Sequence, residues 1–451
     1  MNFGKKIIPF LITSSIFTTG VVLCHYALEQ EGVYRKVSGI VKTYERIDAD
    51  DGTWYAKKVE KPFSIPSNTN MLSWDASHYD EIQKHLYNPE KIWIGNFAFF
   101  PLFPLLWRIT HLSPIGISIL NYILFCTGLF LLISCFRPRP PLWMLLLVFC
   151  PPMVVIYMIP YSEALFFICV TIGLYGLFHK KHWVYFAGFA LGAMTRSAGN
   201  ILVVAWIIAD ILAALHNKCS FKQTLCNIGR HLAPIVTGVA AVIIFQHLRG
   251  AEHWFQYVIA QGEWGKSLSL PSWPLSDWSR ESKSVSHPLI FILTVPALIW
   301  LAMTFINGFQ NKTPFDERKT VRCLSLLFFI GNVLLALLTQ HGCMYSQARL
   351  LSCTPFFTFL LLDMATTEQK PFWRYTLATT LTVTFILYLK TFLAIDFLGF
   401  TIIILIAVLV FFNRQFDRHV RNTILGATLL LNIFWTAYLL NCFLTNGWIF
   451  T

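Results

Sequence analysis

Long apolar runs, separated by short polar and mostly basic turns, set the pattern of this chain. The first apolar run spans about residues 7–28 and is followed by a polar stretch over 29–95. Further apolar segments lie at about 97–112, 114–135, 141–158, 161–178, 183–195, 198–216, 231–249, 288–308, 321–339, 348–364, 373–389, 392–412 and 424–442. A membrane-crossing helix needs roughly 20 apolar residues, or somewhat fewer where neighbours bury it. The pattern therefore predicts an all-α polytopic membrane protein, read as one membrane domain over 1–451.

Charge placement orients the segments. The basic clusters Lys5/Lys6, Arg137/Arg139, Lys180/Lys181, Lys218/Lys222/Arg230, Lys312/Arg318/Lys319/Arg322, Lys370/Arg374 and Arg414/Arg418/Arg421 all fit a cytoplasmic side. Alternation then holds if 97–112 does not cross, which gives about 13 spans. That segment is short, contains Pro101 and Pro104, and is crowded with Phe and Trp. Such a composition suits an interfacial or re-entrant element. The other reading lets 97–112 cross and keeps 183–195 out. On the first reading 7–28 is a retained signal anchor and 29–113 a large external loop. Residues 114–451 form the helix bundle, with a second external loop over 250–287.

Composition agrees. The chain is 55% hydrophobic and 13% charged, against about 25% charged in soluble domains. The net charge of +12 is what cytoplasmic basic loops produce, so nucleic acid is not expected as a partner. The 11 cysteines include no C-x-x-C and lie mostly in apolar runs, which speaks against a disulfide framework or thiolate metal site. There is no phosphate-binding glycine loop, no His/Cys ligand spacing and no internal repeat of the transporter kind.

A few charged residues stand out against this apolar background. Asp75 and Asp80, five apart on a predicted helix, diverge by roughly 140°, so one at most faces a given substrate. Asp75 could equally cap that helix, as could Ser73 or Ser77. Tyr79, Ile82 and Leu86 make an apolar stripe read as membrane-facing, with His78, Asp80 and Lys84 on polar flanks. Glu163 follows Pro160-Tyr161-Ser162 at a helix start, where the dipole alone would favour an acid. Arg196, in AMTRSAGN, lies near membrane depth, where an isolated cation is costly. It suits a phosphate clamp or an ion pair with Glu163, which the topology puts on the same side. Arg349 is a second cation of this kind. Asn96, His341 and Gln347 could bind sugar hydroxyls. The Trp-rich loop 254–278, with Glu263, Lys266 and Asp277, suits sugar rings or an interfacial belt.

The stretches SWDASHYDEI, GNFAFFPLFPLLW, PYSEALFF and MTRSAGN occur in that order within about residues 73–200. Together they resemble the GPI mannosyltransferase II (PIG-V) family of GT-C glycosyltransferases. The turn with Arg349 and Pro355 is a looser match, and AQGEWGK is similar to bacterial members. Ala198 stands where many relatives have Asn. The resemblance implies a GT-C-like bundle of about 11–13 transmembrane helices with a large lumenal or periplasmic first loop. It implies an inverting transfer of mannose from a polyprenyl-phosphate donor, of the dolichol-phosphate mannose type, to a lipid-linked glycan. In eukaryotes that step adds the second, α-1,6-linked mannose to a GPI precursor in the endoplasmic reticulum membrane. In bacteria the acceptor would differ, and the site would face the periplasm from the inner membrane. Asp75, beside Trp74, would be the general base, Arg196 would meet the phosphate, and Glu163 would orient Arg196 or the acceptor. Trp74, His78, Asp80, Asn96 and Arg349 would complete the substrate site. A divalent metal near Asp75 and a small membrane partner subunit are left open. The competing readings are a polyprenol-phosphate transporter and a structural subunit. Neither needs an acid on a long external loop.

Overall fold

A computed structural model describes residues 4–29, 43–48, 54–59, 63–136, 141–270, 286–311, 315–340, 346–367, 371–388, 394–447 and 449. His341 and residues 271–285, including Asp277, lie outside them. The chain begins with helix α1 (Gly4–Glu29), then an antiparallel hairpin, β1 (Thr43–Asp48) with β2 (Trp54–Val59). Three helices follow, α2 (Asp75–His85), α3 (Leu102–Thr110) and α4 (Pro114–Ser134). Next come α5 (Leu142–Leu147), α6 (Glu163–Phe178), α7 (His182–Thr195), α8 (Gly199–Asn217), α9 (Phe221–Leu248) and the single turn α10 (Gln256–Ile259). The remainder is α11 (Ser286–Asn311), α12 (Glu317–Thr339), α13 (Gln347–Ser352), α14 (Pro355–Thr366), α15 (Pro371–Tyr388), α16 (Ala394–Phe412) and α17 (Arg418–Leu444).

Among the described residues, six helices are long and apolar enough to cross a membrane: Ile7–Glu29, Pro114–Ser134, Gly199–Asn217, Phe221–Leu248, Glu317–Thr339 and Arg418–Leu444. Four apolar helices are shorter: Glu163–Phe178, Leu293–Ile306, Pro355–Thr366 and Phe397–Phe412. Two of the expected spans are interrupted, and hydropathy does not register such breaks. The run 141–158 is not one helix. Six residues of α5 are followed by Pro151-Pro152 and a 3-10 turn, Val154–Met158. Proline lacks the N–H a helix needs and pushes its predecessor out of the helical region. The run 348–364 is likewise split, with α14 restarting at Pro355. In 97–112 the helix has nine residues, about 14 Å against a hydrocarbon core of about 30 Å.

Broken backbone inside an apolar bundle leaves carbonyls that must find donors. Here asparagine and tryptophan side chains supply them. Asn432 Nδ2 donates to the Phe149 carbonyl at 2.7 Å, and Trp435 Nε1 to the Pro152 carbonyl at 2.9 Å. Asn121, fully buried on α4, donates to both the Ile159 and Tyr161 carbonyls at 2.8 Å. It thereby holds the turn that leads into Glu163.

α6 is apolar on all sides, and 11 of its 16 residues are buried, as such a helix requires. It forms a tight hairpin with α7. A β-carbon on Gly188 would lie 2.1 Å from the Gly173 nitrogen, and one on Gly176 would lie 2.3 Å from the Tyr185 nitrogen. The two backbones touch, so only glycine fits. Gly188→Ala is therefore expected to destabilise the protein by about 1–3 kcal/mol, the range for overpacking. Gly229→Ala, with nothing within 4 Å, should be neutral or mildly stabilising. Thermal unfolding of the two variants in one detergent makes the comparison, and equal midpoints would contradict it.

α9 packs across α7 and α8, and α12 packs against α8, α11 and α14. α1 lies along α17, joining the two ends of the described chain. The bundle has two polar ends. At one, fully buried Asp363 on α14 accepts from Arg318 Nε at 2.6 Å and Arg322 Nε at 2.5 Å, both on α12. The other holds the start of α6, the end of α7 and the segments around Asp75 and Arg349.

Candidate active site

The α6–α7 hairpin brings Glu163 and Arg196 together. α6 rises over 16 residues and α7 returns over 14, so the first residue of one lies level with the residue after the other. Arg196 Nη1 lies 2.5 Å from Glu163 Oε1, with the side chains 14% and 2% exposed. The pairing alternative raised for Arg196 is thus present in the structure.

Arg349 extends the pair into a chain of charges. Its Nε lies 3.2 Å from Glu163 Oε1, and its Nη1 donates to Asp75 Oδ2 at 2.7 Å. The guanidinium also lies over the Tyr161 ring, 5.2 Å from the centroid, a favourable cation–π placement. Asp75, Arg349, Glu163 and Arg196 therefore form one alternating row, built from α2, α13, α6 and the end of α7. Asp75 is its most open member, at 23% exposed. Burial alone would lower the pKa of Arg349, but the carboxylates of Asp75 and Glu163 outweigh it and raise it above its ordinary value.

The backbone on both sides is strained to fit. Trp74, just before Asp75, has φ of 56°, and Ser346, at the start of α13, has φ of 59°. A non-glycine residue held there costs on the order of 1–3 kcal/mol and persists only where its surroundings force it. Trp74 Nε1 donates to the Gly447 carbonyl at 3.0 Å, and the Asp75 amide donates to the Tyr161 hydroxyl at 3.2 Å. Asp75 is the first residue of α2, not its cap; the capping position is Trp74, with no side-chain bond. Tyr79 donates to Ser162 Oγ at 2.7 Å, and burial, then the Glu163 charge, pushes its phenol up.

Several expected site residues lie elsewhere or do other work. Trp74 anchors the backbone through its indole. Asp80 turns away from Asp75, as the helical rotation requires, and pairs with Lys84 at 2.5 Å and with Gln83. Asn96 is fully buried and donates to Glu81 Oε2 at 2.7 Å, tying the turn Ile94–Ala98 to α2. Tyr79 and Ile82 face the protein, not the membrane: Tyr79 packs edge-on against Phe99 and Phe103. His78 is not on a polar flank. It stacks on Phe99 and meets Trp264 edge-on, beside Trp93. Gln347 is buried next to the site, on α13.

One contributor had no periodicity to reveal it. Trp264 Nε1 donates to the Gly95 carbonyl, and Ser267 and Ser269 amides donate to the Thr339 and Leu338 carbonyls at the end of α12. These bonds draw the loop across the site and place Lys266, half-buried, in the field of Asp75, Arg349 and Arg196. Burial, and then the two guanidinium groups, lower the Lys266 pKa, with Asp75 partly opposing them. Counting charges, the site holds Arg196, Arg349 and Lys266 against Asp75 and Glu163, one cation in excess. Such a site favours an anion.

The donor set does not suit a metal. Both carboxylates are engaged by guanidinium groups, and no group of three or more His, Cys, Asp or Glu side chains converges among the described residues. Comparison of the chain with protein-family models, with curated proteins and with solved structures finds no match.

Proposed function

We propose that the protein transfers a sugar from a polyprenyl-phosphate donor to a hydroxyl of a lipid-linked glycan, with inversion at the anomeric carbon. The observation that carries this reading is the row of charges itself. It joins one partly open carboxylate, Asp75, to buried guanidinium groups with a surplus cation beside them. Activating a hydroxyl calls for a carboxylate, and a departing phosphate calls for cations. The motif resemblance around residues 73–200 supports mannose as the sugar and a dolichol-phosphate type of carrier.

In this mechanism the acceptor oxygen attacks the anomeric carbon while the bond from that carbon to the phosphate oxygen breaks. The acceptor proton passes to the Asp75 carboxylate, and the polyprenyl phosphate leaves with the bonding electrons. Arg349 fixes the Asp75 carboxylate through Oδ2, turning the other oxygen to the acceptor. Arg196 and Lys266 stabilise charge on the phosphate. Glu163 holds both arginines in place and keeps the three cations from scattering one another. The site belongs on the lumenal or periplasmic face, where the carrier presents its sugar. A GPI precursor is the eukaryotic acceptor this reading favours, and a different lipid-linked glycan is the bacterial one.

The test is a reconstituted assay. The purified chain in liposomes, given labelled dolichol-phosphate mannose and a lipid-linked glycan acceptor, is expected to yield a product of inverted configuration. Movement of the donor across the bilayer with no transfer would replace this reading with that of a transporter.

Lys266 gives the assay a pH signature. Lysine is charged below its pKa, and this one is depressed, so donor binding should weaken as pH rises through that lowered value, before an ordinary lysine titrates. In the same window the unfolded chain binds more protons than the folded one, so the empty protein gains stability as pH rises. Donor affinity and thermal midpoint, followed against pH, should move in opposite directions. Lys266→Met should flatten both curves.

A further inference from the structure

At the end of the bundle away from Asp75, a cavity of about 260 Å³ opens between the α6–α7 turn and the flank of α9. Lys180, His182, Arg230, His231 and Glu317 line it, over a floor of Gly176 and Leu177. Its walls come from four different parts of the chain, so the fold, not one basic stretch, assembles it. Arg230 lies against the His182 ring and meets no carboxylate among the described residues. Lys180 is 3.6 Å from Glu317, an exposed pairing of little strength. His231 is held from behind by buried Asp210, whose two oxygens lie 2.9 Å from Nδ1. Its carbonyl takes the Tyr185 hydroxyl at 3.0 Å, which fixes the cavity wall. Among the lining side chains Lys180 and Arg230 outnumber the carboxylate of Glu317, so the opening carries an excess cation, contributed by the α6–α7 turn and α9.

Depth identifies the source of a matching anion. α6 runs from Glu163 to this cavity over 16 residues, about 24 Å. That is close to the thickness of a hydrocarbon core, so a site near one membrane face puts the cavity near the other. Trp183 is 85% exposed and Phe221 79% at this same end. Large aromatics left bare on a helical bundle belong at headgroup level. Basic pockets between helices at that level are suited to anionic headgroups.

We propose that this cavity binds the phosphate group of an anionic membrane lipid. The binding is separate from the transfer reaction; only its depth rests on the Asp75 end of the bundle lying at the opposite membrane face. Native mass spectrometry of the full chain, released from vesicles of mixed phosphatidylcholine and phosphatidylglycerol, tests it. The wild type is expected to retain phosphatidylglycerol. Lys180→Gln with Arg230→Gln should weaken retention about a hundredfold or more, since each charge-assisted hydrogen bond to the phosphate is worth about tenfold. Lys218→Gln with Lys222→Gln removes the same charge from exposed positions on the same side and should leave retention unchanged. Lys180→Arg with Arg230→Lys should preserve it, which separates lost binding from lost folding. Equal losses in both glutamine pairs, or no loss in the first, would overturn the site. Displacement of the lipid by a small excess of inorganic phosphate would overturn the lipid as its ligand and assign the cavity to a soluble anion.

Discussion

Under the proposed transfer mechanism, replacing Asp75 with Asn is expected to slow sugar transfer by about 10²–10⁴-fold, the usual contribution of a positioned general base. Donor binding should survive, because the cations that meet the phosphate are untouched. The fold should survive too. Asn is nearly the same shape, and its carbonyl oxygen can still accept from Arg349 Nη1, where Asp75 Oδ2 now sits at 2.7 Å. The measurement is single-turnover transfer with dolichol-phosphate mannose, set beside donor affinity. Full transfer by the Asn variant would remove Asp75 from the chemistry. Asp80→Asn supplies the internal comparison. That acid is held by Lys84 and Gln83 on another face of α2, and its loss should change the rate little.

The second large effect is expected at Arg349, and on stability before activity. One guanidinium bridges Asp75 and Glu163, and its side chain is only 10% exposed. Arg349→Met leaves one carboxylate partly buried and the other, 2% exposed, with Arg196 as its remaining ion-pair partner. Breaking a buried pair by removing one member costs about 3–5 kcal/mol, since the survivor stays desolvated. A lowered thermal midpoint in detergent would report it. Coupling gives a sharper readout. Combining Arg349→Met with Asp75→Asn should cost less than the two single losses added, because the second change removes a charge the first had orphaned. Strict additivity would mean that the two side chains do not share an interaction.

Part of this site is legible in the chain, and the rest is hidden for identifiable reasons. Glu163 and Arg196 flank two apolar runs of nearly equal length, so an antiparallel hairpin already suggests their meeting. Asp75 announces itself as an acid beside a long apolar surround. The bond between Asp75 and Arg349 spans 274 positions, and no local pattern encodes it. Lys266 is harder still: it belongs to a loop with no period, drawn in by backbone bonds at Ser267 and Ser269. The stripe of Tyr79 and Ile82 shows a different limit. An apolar helix face that meets lipid and one that meets protein have the same sequence signature. Trp74 shares SWDASHYDEI with Asp75, and Asn96 lies in GNFAFFPLFPLLW, so both enter the site reading through the motif resemblance. Packing gives them structural work instead. The proline breaks at 151–152 and 355 were visible as residues, but a hydropathy window averages over them.

The indole of Trp74 grips the carbonyl of Gly447, and the Ser64 amide donates to Asn441 Oδ1 at 3.0 Å. A ribosome emits these partners almost four hundred residues apart. While the chain is being made, the Trp74 indole waits for its Gly447 carbonyl, whereas Tyr161 and then Arg349 are made earlier and can already meet Asp75. α17 and Gly447 arrive last. The nascent protein is thus expected to pass most of its synthesis already threaded in the membrane with this anchor unmade, and to gain it only when α17 closes against α1. Release of a chain short of residue 447 would keep the Asp75–Arg349 pair but lose the grip on the residue before the acid.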